Sequence, residues 1–389
     1  MQRVTSLATL VLAFAVCAGC TEPEIVARTR PDCGAMMIVD GGDAGAPPVD
    51  PEPMVPDGGA GCSPYHPPMP PAVSTEGPDT DPTAFAIKQI SLDEGGDRWR
   101  RIGFDLDTLC SDGTIATADC TPATPPIVVG GAEDGVRGID NTFGRVLLPA
   151  LLLAAPALAV EARQDQELGR YDLLLQLTRY NGTDDDPRVD VVMSQTEYVA
   201  PSVGVRDGGV PMPADICGAR PRWDGTDIAY PGDLAFVGGD PTMPRLHDDH
   251  AYVRGGVLVV TVPDRSELDL SGDGRTVRVR LTGATLVGTL SRDRRNLQNV
   301  VLSGRWSITD VLEVLPLFGL CPGVPADDSQ RAVVMQLLNM GADIRSNPAT
   351  DRMGLPCDAM SFGLMAQGYR VTVGAVVPSS AMLTPCPMP

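Results

Sequence analysis

Short apolar segments with strand-like spacing dominate the second half of this chain. In residues 277–281, apolar and arginine side chains alternate strictly, as in a strand with one buried face and its arginines toward solvent. Asn181-Gly182 separates two such segments, and this dipeptide favours a tight β-hairpin. Other apolar runs of strand length cover residues 173–178, 188–193, 253–262, 284–290 and 300–306. So many strands at short spacing predict an antiparallel β-sandwich or barrel.

Strand-like patterns also occur near both ends of this region. Residues 85–90 alternate as a strand would, and residues 99–106 form a second predicted strand that leads into a loop from Cys110 to Cys120. Residues 370–373 are the candidate closing strand.

Residues 146–160 form the most apolar stretch downstream of the N-terminal segment. They are short for a membrane span, which needs roughly 18 apolar residues or more. Pro149 and Pro156 interrupt them, and proline breaks or kinks a helix. The stretch therefore predicts a buried, interrupted helix.

Two further helices are predicted in the final third of the chain. Ser307 and Asp310 resemble a capping box that opens a short helix ending at Pro316. Residues 327–340 place apolar side chains on one face and run up to Gly341, as at a helix C-terminus. The predicted fold class is mainly β with a few helices, a β-rich α+β domain.

The first twenty residues have the pattern of an export signal. Arg3 precedes an apolar segment at residues 7–16, which has about the length of a signal-peptide core. Two small residues, Ala18 and Gly19, then stand before Cys20. This ending resembles the lipobox of bacterial lipoproteins.

The resemblance implies that residues 1–19 are removed and that Cys20 becomes the lipid-bearing first residue of the mature protein. Cys17 occupies a position where leucine is usual. Thr21 rather than aspartate follows Cys20, which in such lipoproteins goes with the outer membrane or cell surface. Attached acyl chains would supply the membrane affinity. The alternative is an ordinary secretory signal cleaved nearby, which would leave Cys20 as an odd thiol.

Residues 20–80 are crowded with proline, glycine, aspartate and alanine. Such a segment cannot bury enough apolar surface to offset its ordering entropy. It predicts a lipid-anchored tether, partly flexible and partly extended as polyproline. Residues 81–389 are then one β-rich globular domain.

Eight cysteines lie downstream of the lipobox, and an even number in an exported chain predicts disulfides. Cys110 with Cys120 is the nearest local pair, and Cys33 with Cys62 would close the tether. Because no C-x-x-C spacing occurs after Cys20, zinc and thiol-redox sites are disfavoured. The cysteines predicted to staple the C-terminal half are Cys217, Cys321, Cys357 and Cys386.

The charge of the chain bears on its partners. There are 30 Lys and Arg against 50 Asp and Glu, a formal charge of −20, and Lys88 is the only lysine. This acidity repels phosphate backbones and argues against a nucleic-acid partner. It suits solubility or cation binding at a cell surface.

Two acidic segments are candidate metal sites. The run His247-Asp248-Asp249-His250 combines side chains that ligate metals and that a tight loop could bring together. The alternative is an exposed polar turn. Residues 184–186 are three consecutive aspartates beside a turn, a weaker calcium candidate whose alternative is a solvated acidic loop.

Part of a calcium loop is present farther along. Asp269, Ser271 and Asp273 supply oxygens at positions one, three and five, and Gly274 stands at position six. Arg280 stands at position twelve, where an EF-hand requires glutamate, so an EF-hand is excluded. The alternative is a hairpin turn between two strands.

Common catalytic motifs are absent from the sequence: no G-x-S-x-G, H-E-x-x-H or phosphate-binding loop occurs. As a whole the chain resembles uncharacterised bacterial lipoproteins of the myxobacterial kind, with a lipobox, a Pro/Gly/Asp tether and a disulfide-bearing β-rich domain. That resemblance implies an architecture and carries no activity.

Three functional hypotheses follow. The first is a lipid-anchored, non-catalytic protein that binds a protein partner or belongs to the envelope. The second is a calcium- or carbohydrate-binding β-sandwich module, with calcium as the one cofactor left open and a glycan as the ligand. The third is an anchored hydrolase built on a carboxylate pair, whose spacing in space a sequence does not reveal.

Overall fold

A computed structural model describes residues 63–72, 79, 82–88, 90–91, 96–111, 119–121, 133–154, 158–170, 172–202, 220–272, 275–318 and 320–379. Over these residues the fold is mainly β with four α-helices, as predicted. The described strands are β1 (Thr83–Lys88), β2 (Leu173–Thr178), β3 (Asp186–Ala200), β4 (Ile228–Pro231), β5 (Leu246–Arg254), β6 (Val257–Thr261), β7 (Glu267–Gly272), β8 (Arg275–Leu290), β9 (Asn296–Ser307) and β10 (Ala359–Val373).

Eight of these strands close into an antiparallel barrel. Each pairs with the next in the order β1-β2-β3-β5-β6-β8-β9-β10, and β10 pairs back with β1. Since this order follows the chain, the barrel is of the up-and-down type. The other two strands extend it: β4 lies between the ends of β3 and β10, and β7 pairs with the first part of β8. Of the two predicted architectures, the barrel is the one observed.

Apolar side chains from every barrel strand fill its interior. An eight-stranded barrel is just wide enough for side chains to occupy it completely. Because strand side chains alternate, Phe85 and Ile87 point inward while Ala84 and Ala86 face the outer wall. The inward side chains of the other strands include Leu175, Val191, Val253, Leu258, Leu286, Leu302 and Phe362.

The described helices are α1 (Leu148–Ala154), α2 (Leu158–Glu167), α3 (Ile308–Val314) and α4 (Pro325–Gly341). The predicted cap of α3 is confirmed, because Ser307 Oγ accepts a hydrogen bond from Asp310 N at 3.1 Å. None of the helices in the described ranges is long and apolar enough to cross a membrane.

The interrupted helix predicted over residues 146–160 is confirmed as a helix, but only part of it is buried. A π-helical turn, Phe143–Leu147, runs into α1 and is followed by α2. Leu148 is 2% exposed, whereas Val160 is 58% exposed. The start of α1 is therefore in the core, whereas Val160 in α2 faces solvent.

Two strand predictions had wrong boundaries, and glycine explains both. Residues 253–262 are not one strand: Gly255 and Gly256 have positive φ of 57° and 77° and turn the chain between β5 and β6. Conversely, residues 276–281 and 284–290 are one long strand, β8, in which Gly283 has a φ of 59°. A bulged strand and a hairpin leave similar glycine signals in sequence.

The strand predicted at residues 99–106 is wrong. The chain there forms a 3-10 turn, Arg98–Arg101, followed by a loop. Every barrel strand already has two neighbours, so the barrel offers this segment no free edge. It lies across the outer wall instead. The predicted strand at residues 370–373 is confirmed as the end of the much longer β10.

The predicted Cys110–Cys120 disulfide is wrong, because Cys120 is bonded to Cys357. The backbone explains the pairing: Thr121 N donates to Leu355 O at 2.8 Å, and Cys357 N donates to Thr121 O at 3.1 Å. Cys120 therefore lies along the approach to β10 instead of folding back. Cys110 and Cys321 also form disulfides. Cysteines outside the described residues are Cys33, Cys62, Cys217 and Cys386.

Candidate functional site

Two loops on the outer wall of the barrel carry a group of buried aspartates. They are residues 102–111 and residues 133–142, and they lie over β9 and β10. The outward side chains of these strands bind the loop backbone. The hydrogen bonds run from Phe104 N to Ser303 Oγ (3.3 Å), from Thr142 N to Ser361 Oγ (2.8 Å) and from Arg305 Nη2 to Leu106 O (2.6 Å).

A buried ion pair fixes the first loop. Arg305 binds both carboxylate oxygens of Asp351 at 2.6 Å, and its side chain is only 3% exposed. This fork-to-fork geometry holds both partners rigidly. The guanidinium is thereby committed to Asp351 and to backbone oxygens, and it is not paired with the loop carboxylates.

Three loop carboxylates converge beside this ion pair. Asp105, Asp107 and Asp140 each offer an oxygen, and these oxygens all lie within 4.8 Å of one another. The three residues are 4%, 7% and 4% exposed. Among the described residues none of them forms a salt bridge, although one oxygen of each accepts a backbone N–H, from Thr108, Leu109 and Leu106 respectively.

One of these oxygens has no hydrogen-bond partner. Asp105 Oδ2 is buried and bonds to nothing within the described ranges, and the same is true of Asp119 Oδ2 nearby. A buried polar atom without a partner is costly and calls for an explanation such as a bound ion. It is the observation that distinguishes this group from an ordinary acidic surface.

The electrostatics of the group are unfavourable to three negative charges. Burial, followed by the charges of neighbouring aspartates, raises the pKa of Asp107 to about 6 and that of Asp134 to about 8. The same causes raise the pKa of Asp140 well above its ordinary value. Burial also raises the pKa of Asp105 and Asp343. Without a cation, protons must therefore neutralise part of the group.

The donor set and spacing suit a hard divalent cation. Calcium takes six to eight oxygen ligands at about 2.3–2.6 Å, so two ligands on one ion lie no more than about 5 Å apart. The 4.8 Å limit for the three carboxylate oxygens fits that sphere. Gly138 keeps the neighbourhood open, because a Cβ there would come within 2.9 Å of Asp105 Oδ2 and 2.7 Å of Leu109 O.

The histidine run identified in the sequence lies on β5 and forms a different group, in which Asp248 is 7% exposed and His250 is exposed. One ligand atom each from Asp248, Asp249 and His250 lies within 4.8 Å of the others, but His247 is not part of this group. Asp248 is occupied by N–H groups of His250 (2.9 Å) and Thr261 (2.6 Å). His250 Nδ1 lies 2.6 Å from Asp249 Oδ1. The described oxygens of Asp248 thus already have partners.

The other predicted site residues are not brought together with this group. Asp269 lies on β7 opposite Arg278, in a hairpin with β8, which is the alternative anticipated for this segment. Asp273 and Cys20 lie outside the described residues. In the acidic run at 184–186, the first two aspartates contact Arg294 and Arg254, and Asp186 accepts backbone N–H groups.

A second buried polar cluster surrounds the only lysine, at the end of β1, which pairs with β10. Lys88 Nζ lies 2.9 Å from Glu167 Oε1 and 4.9 Å and 5.5 Å from the ring centres of Trp223 and Tyr369. Burial raises the pKa of Asp172 well above its ordinary value, against the opposing charge of Lys88. The aromatic rings close this cluster, which joins α2 to β1.

A shallow cleft of about 350 Å³ opens near the ends of β3 and β5. None of its lining residues is aromatic, so it offers no platform on which a sugar ring could stack. Its charged lining residues are Glu197, Arg245, Glu267 and Arg278.

The aspartate group on the two loops was missed by sequence reasoning. A signal was present: Asp105-Leu106-Asp107 places two carboxylates two residues apart, with no arginine or lysine between positions 102 and 136. The pattern could not reveal that the chain returns to these carboxylates at Asp140.

Comparisons with protein-family models, curated proteins and solved structures find no match to this chain. The site itself is therefore the basis for assigning a function.

Proposed function

We propose that this protein is an exported, lipid-anchored β-barrel module that binds one calcium ion through Asp105, Asp107 and Asp140 and has no catalytic role. Two observations carry the proposal: three buried carboxylates each place an oxygen within 4.8 Å of the others, and one oxygen of these carboxylates, Asp105 Oδ2, has no hydrogen-bond partner among the described residues. Calcium is abundant outside cells, where the N-terminal signal would deliver the chain. The outer surface of the barrel would contact a protein partner or the envelope.

Two features favour calcium over the other hypotheses. The three aspartates are at most 7% exposed, so a substrate has no access to them, whereas a hydrolytic carboxylate pair must contact its substrate. A glycan-binding module would be expected to present aromatic rings, and the cleft has none. Oxygen-only ligands suit calcium rather than zinc.

Calcium titration by calorimetry tests the proposal. We expect one ion per chain, and we expect Asp105→Asn to lower the affinity at least tenfold, about 1.4 kcal/mol, because it removes one charged ligand. The amide keeps an oxygen that can accept from Thr108 N, so the loop is preserved.

The matched control is Asp249→Asn, in the group on β5, which should bind calcium as the unaltered protein does. Binding that survives in Asp105→Asn but is lost in Asp249→Asn would move the cation site to β5. No measurable heat at millimolar calcium would refute calcium binding altogether.

The lipid anchor has an independent test in metabolic labelling with a fatty acid. We expect the label in the unaltered protein and in Cys17→Ser, and its loss in Cys20→Ser, because only Cys20 would carry acyl chains. Labelling retained in Cys20→Ser would favour the ordinary secretory signal instead.

A further inference from the structure

Residues 63–72 form an extended strap that binds both aspartate-bearing loops. Tyr65 lies between them: its N–H donates to Arg137 O at 3.0 Å, and its carbonyl accepts from Asp105 N at 2.9 Å. Asp105 thus has two roles. Its backbone N–H holds the strap, and its carboxylate is part of the proposed cation site.

Side chains reinforce this joint. The Arg137 guanidinium donates to Ser63 O at 3.0 Å and to Pro64 O at 3.4 Å, and it lies 5.1 Å from the centre of the Tyr65 ring. The Tyr65 ring in turn stacks on Phe104 at 5.6 Å between centres. Both contacts exist only when the two loops are close together.

The far end of the strap contacts the barrel and not the two loops. Tyr252 Oη on β5 donates to Pro68 O at 2.6 Å, the next residue, Met69, is 80% exposed, and Pro71 is buried. The strap is without regular secondary structure. The joint at Tyr65 is therefore the part of the strap that depends on how close the two loops lie.

We infer that calcium controls this strap: the bound ion draws the two loops together and docks residues 63–72, and loss of the ion releases them. The inference rests on the proposed calcium site. Without the ion, the loops lose the ligand bonds that join Asp105 and Asp107 to Asp140, and the charge that remains on these carboxylates favours separation of the loops and breaks the Tyr65 joint. By linkage, a docked strap must raise calcium affinity by the same factor by which calcium favours docking.

The consequence is a tether of variable length. The strap lies at the end of the segment predicted to connect Cys20 to the barrel. Ten released residues add up to about 33 Å of reach when extended. The barrel would stand closer to its membrane in calcium and farther from it without.

Hydrogen exchange on the purified, disulfide-intact protein tests the inference, with calcium, magnesium or a chelator present. We expect calcium to slow exchange at least tenfold at the amides of Tyr65 and Asp105, and magnesium to have little effect because it demands near-ideal octahedral geometry and gives up its water reluctantly. The amide of Val260, in the barrel, is the internal reference and should not change.

The reciprocal experiment measures calcium affinity in a variant that alters no ligand. We expect Tyr65→Ala to weaken calcium binding about fivefold, within the usual range of coupling between sites, and Met69→Ala to leave it unchanged. If calcium binds but strap exchange and the affinity of Tyr65→Ala are both unaltered, the strap is a fixed part of the fold and the inference fails while the calcium site stands. If calcium does not bind, both fail.

Discussion

At pH 8 in the presence of a chelator, the protein is expected to unfold at a lower temperature than at pH 5, and calcium is expected to remove most of this difference. The aspartates of the outer-wall group have pKa values raised by burial above the ordinary 3.8, to about 6 for Asp107 and Asp119 and about 8 for Asp134. The folded state therefore holds more protons than the unfolded state between about pH 4 and pH 8. Stability must fall as pH rises through that range.

Calcium reverses the trend because it replaces the protons as the neutralising charge. At 100 times its dissociation constant it adds about 2.7 kcal/mol to the free energy of unfolding, which corresponds to about 4 °C for a domain of this size. The rise in unfolding temperature caused by calcium should be largest at pH 8 and should vanish near pH 4, where protons occupy the site. The groups that set this dependence are Asp105, Asp107, Asp119, Asp134, Asp140 and Asp343, with the guanidinium groups of Arg305 and Arg352 as neighbouring cations.

Thermal melts of the unaltered protein and of Asp105→Asn check this expectation. The variant should be at least as stable without calcium, since it lacks one repelling charge. Its stabilisation by calcium at the same concentration should fall from about 2.7 to about 1.4 kcal/mol or less, because its affinity is at least tenfold lower. Asp172 contributes a pH dependence of the same sign that calcium does not relieve. An equal calcium shift at pH 5 and pH 8, or an undiminished shift in the variant, would contradict the assignment.

The barrel could be predicted because its signals are local. In β8, buried and charged side chains alternate at consecutive positions. Val279 and Leu281 are buried, and Arg278 and Arg280 form salt bridges with Glu267. The number and spacing of the predicted strands then limited the possible architectures to a sandwich or a barrel. The choice between them depends on whether β10 pairs with β1, a contact between positions nearly 300 residues apart that no local pattern encodes.

The aspartate group on the two loops could not be predicted for the same reason. The run from His247 to His250 has its ligand-type residues adjacent in sequence, and it stays a prediction: Asp248, Asp249 and His250 come together on β5, but the oxygens of Asp248 already accept backbone N–H groups. The stronger group needs Asp105 and Asp140, which are brought together only because both loops bind the outward serines of β9 and β10.

The disulfide prediction was wrong because it assumed that cysteines close in sequence are also close in space. Short separation suggested Cys110 with Cys120, whereas the observed partner of Cys120, Cys357, is 237 residues away. The bond ties the segment that carries Asp119 to the approach to β10, where Arg352 N donates to Asp119 Oδ1 at 3.0 Å. It therefore secures one side of the aspartate group to the barrel.

Removing this bond is expected to cost more stability than any other change considered for this protein. A cross-link that closes a loop of this length restricts the unfolded chain strongly, and loss of such a bond costs about 3–5 kcal/mol. The double variant Cys120→Ser with Cys357→Ser should lower the denaturant midpoint, with a steeper slope because the unfolded chain without the cross-link exposes more surface. Tryptic mapping of the oxidised protein tests the bond independently, because peptides 102–137 and 353–370 should be linked both in the unaltered protein and in Cys110→Ser, which leaves Cys120 as the cysteine of peptide 102–137. An unlinked peptide 353–370, or a double variant as stable as the unaltered protein, would contradict the pairing.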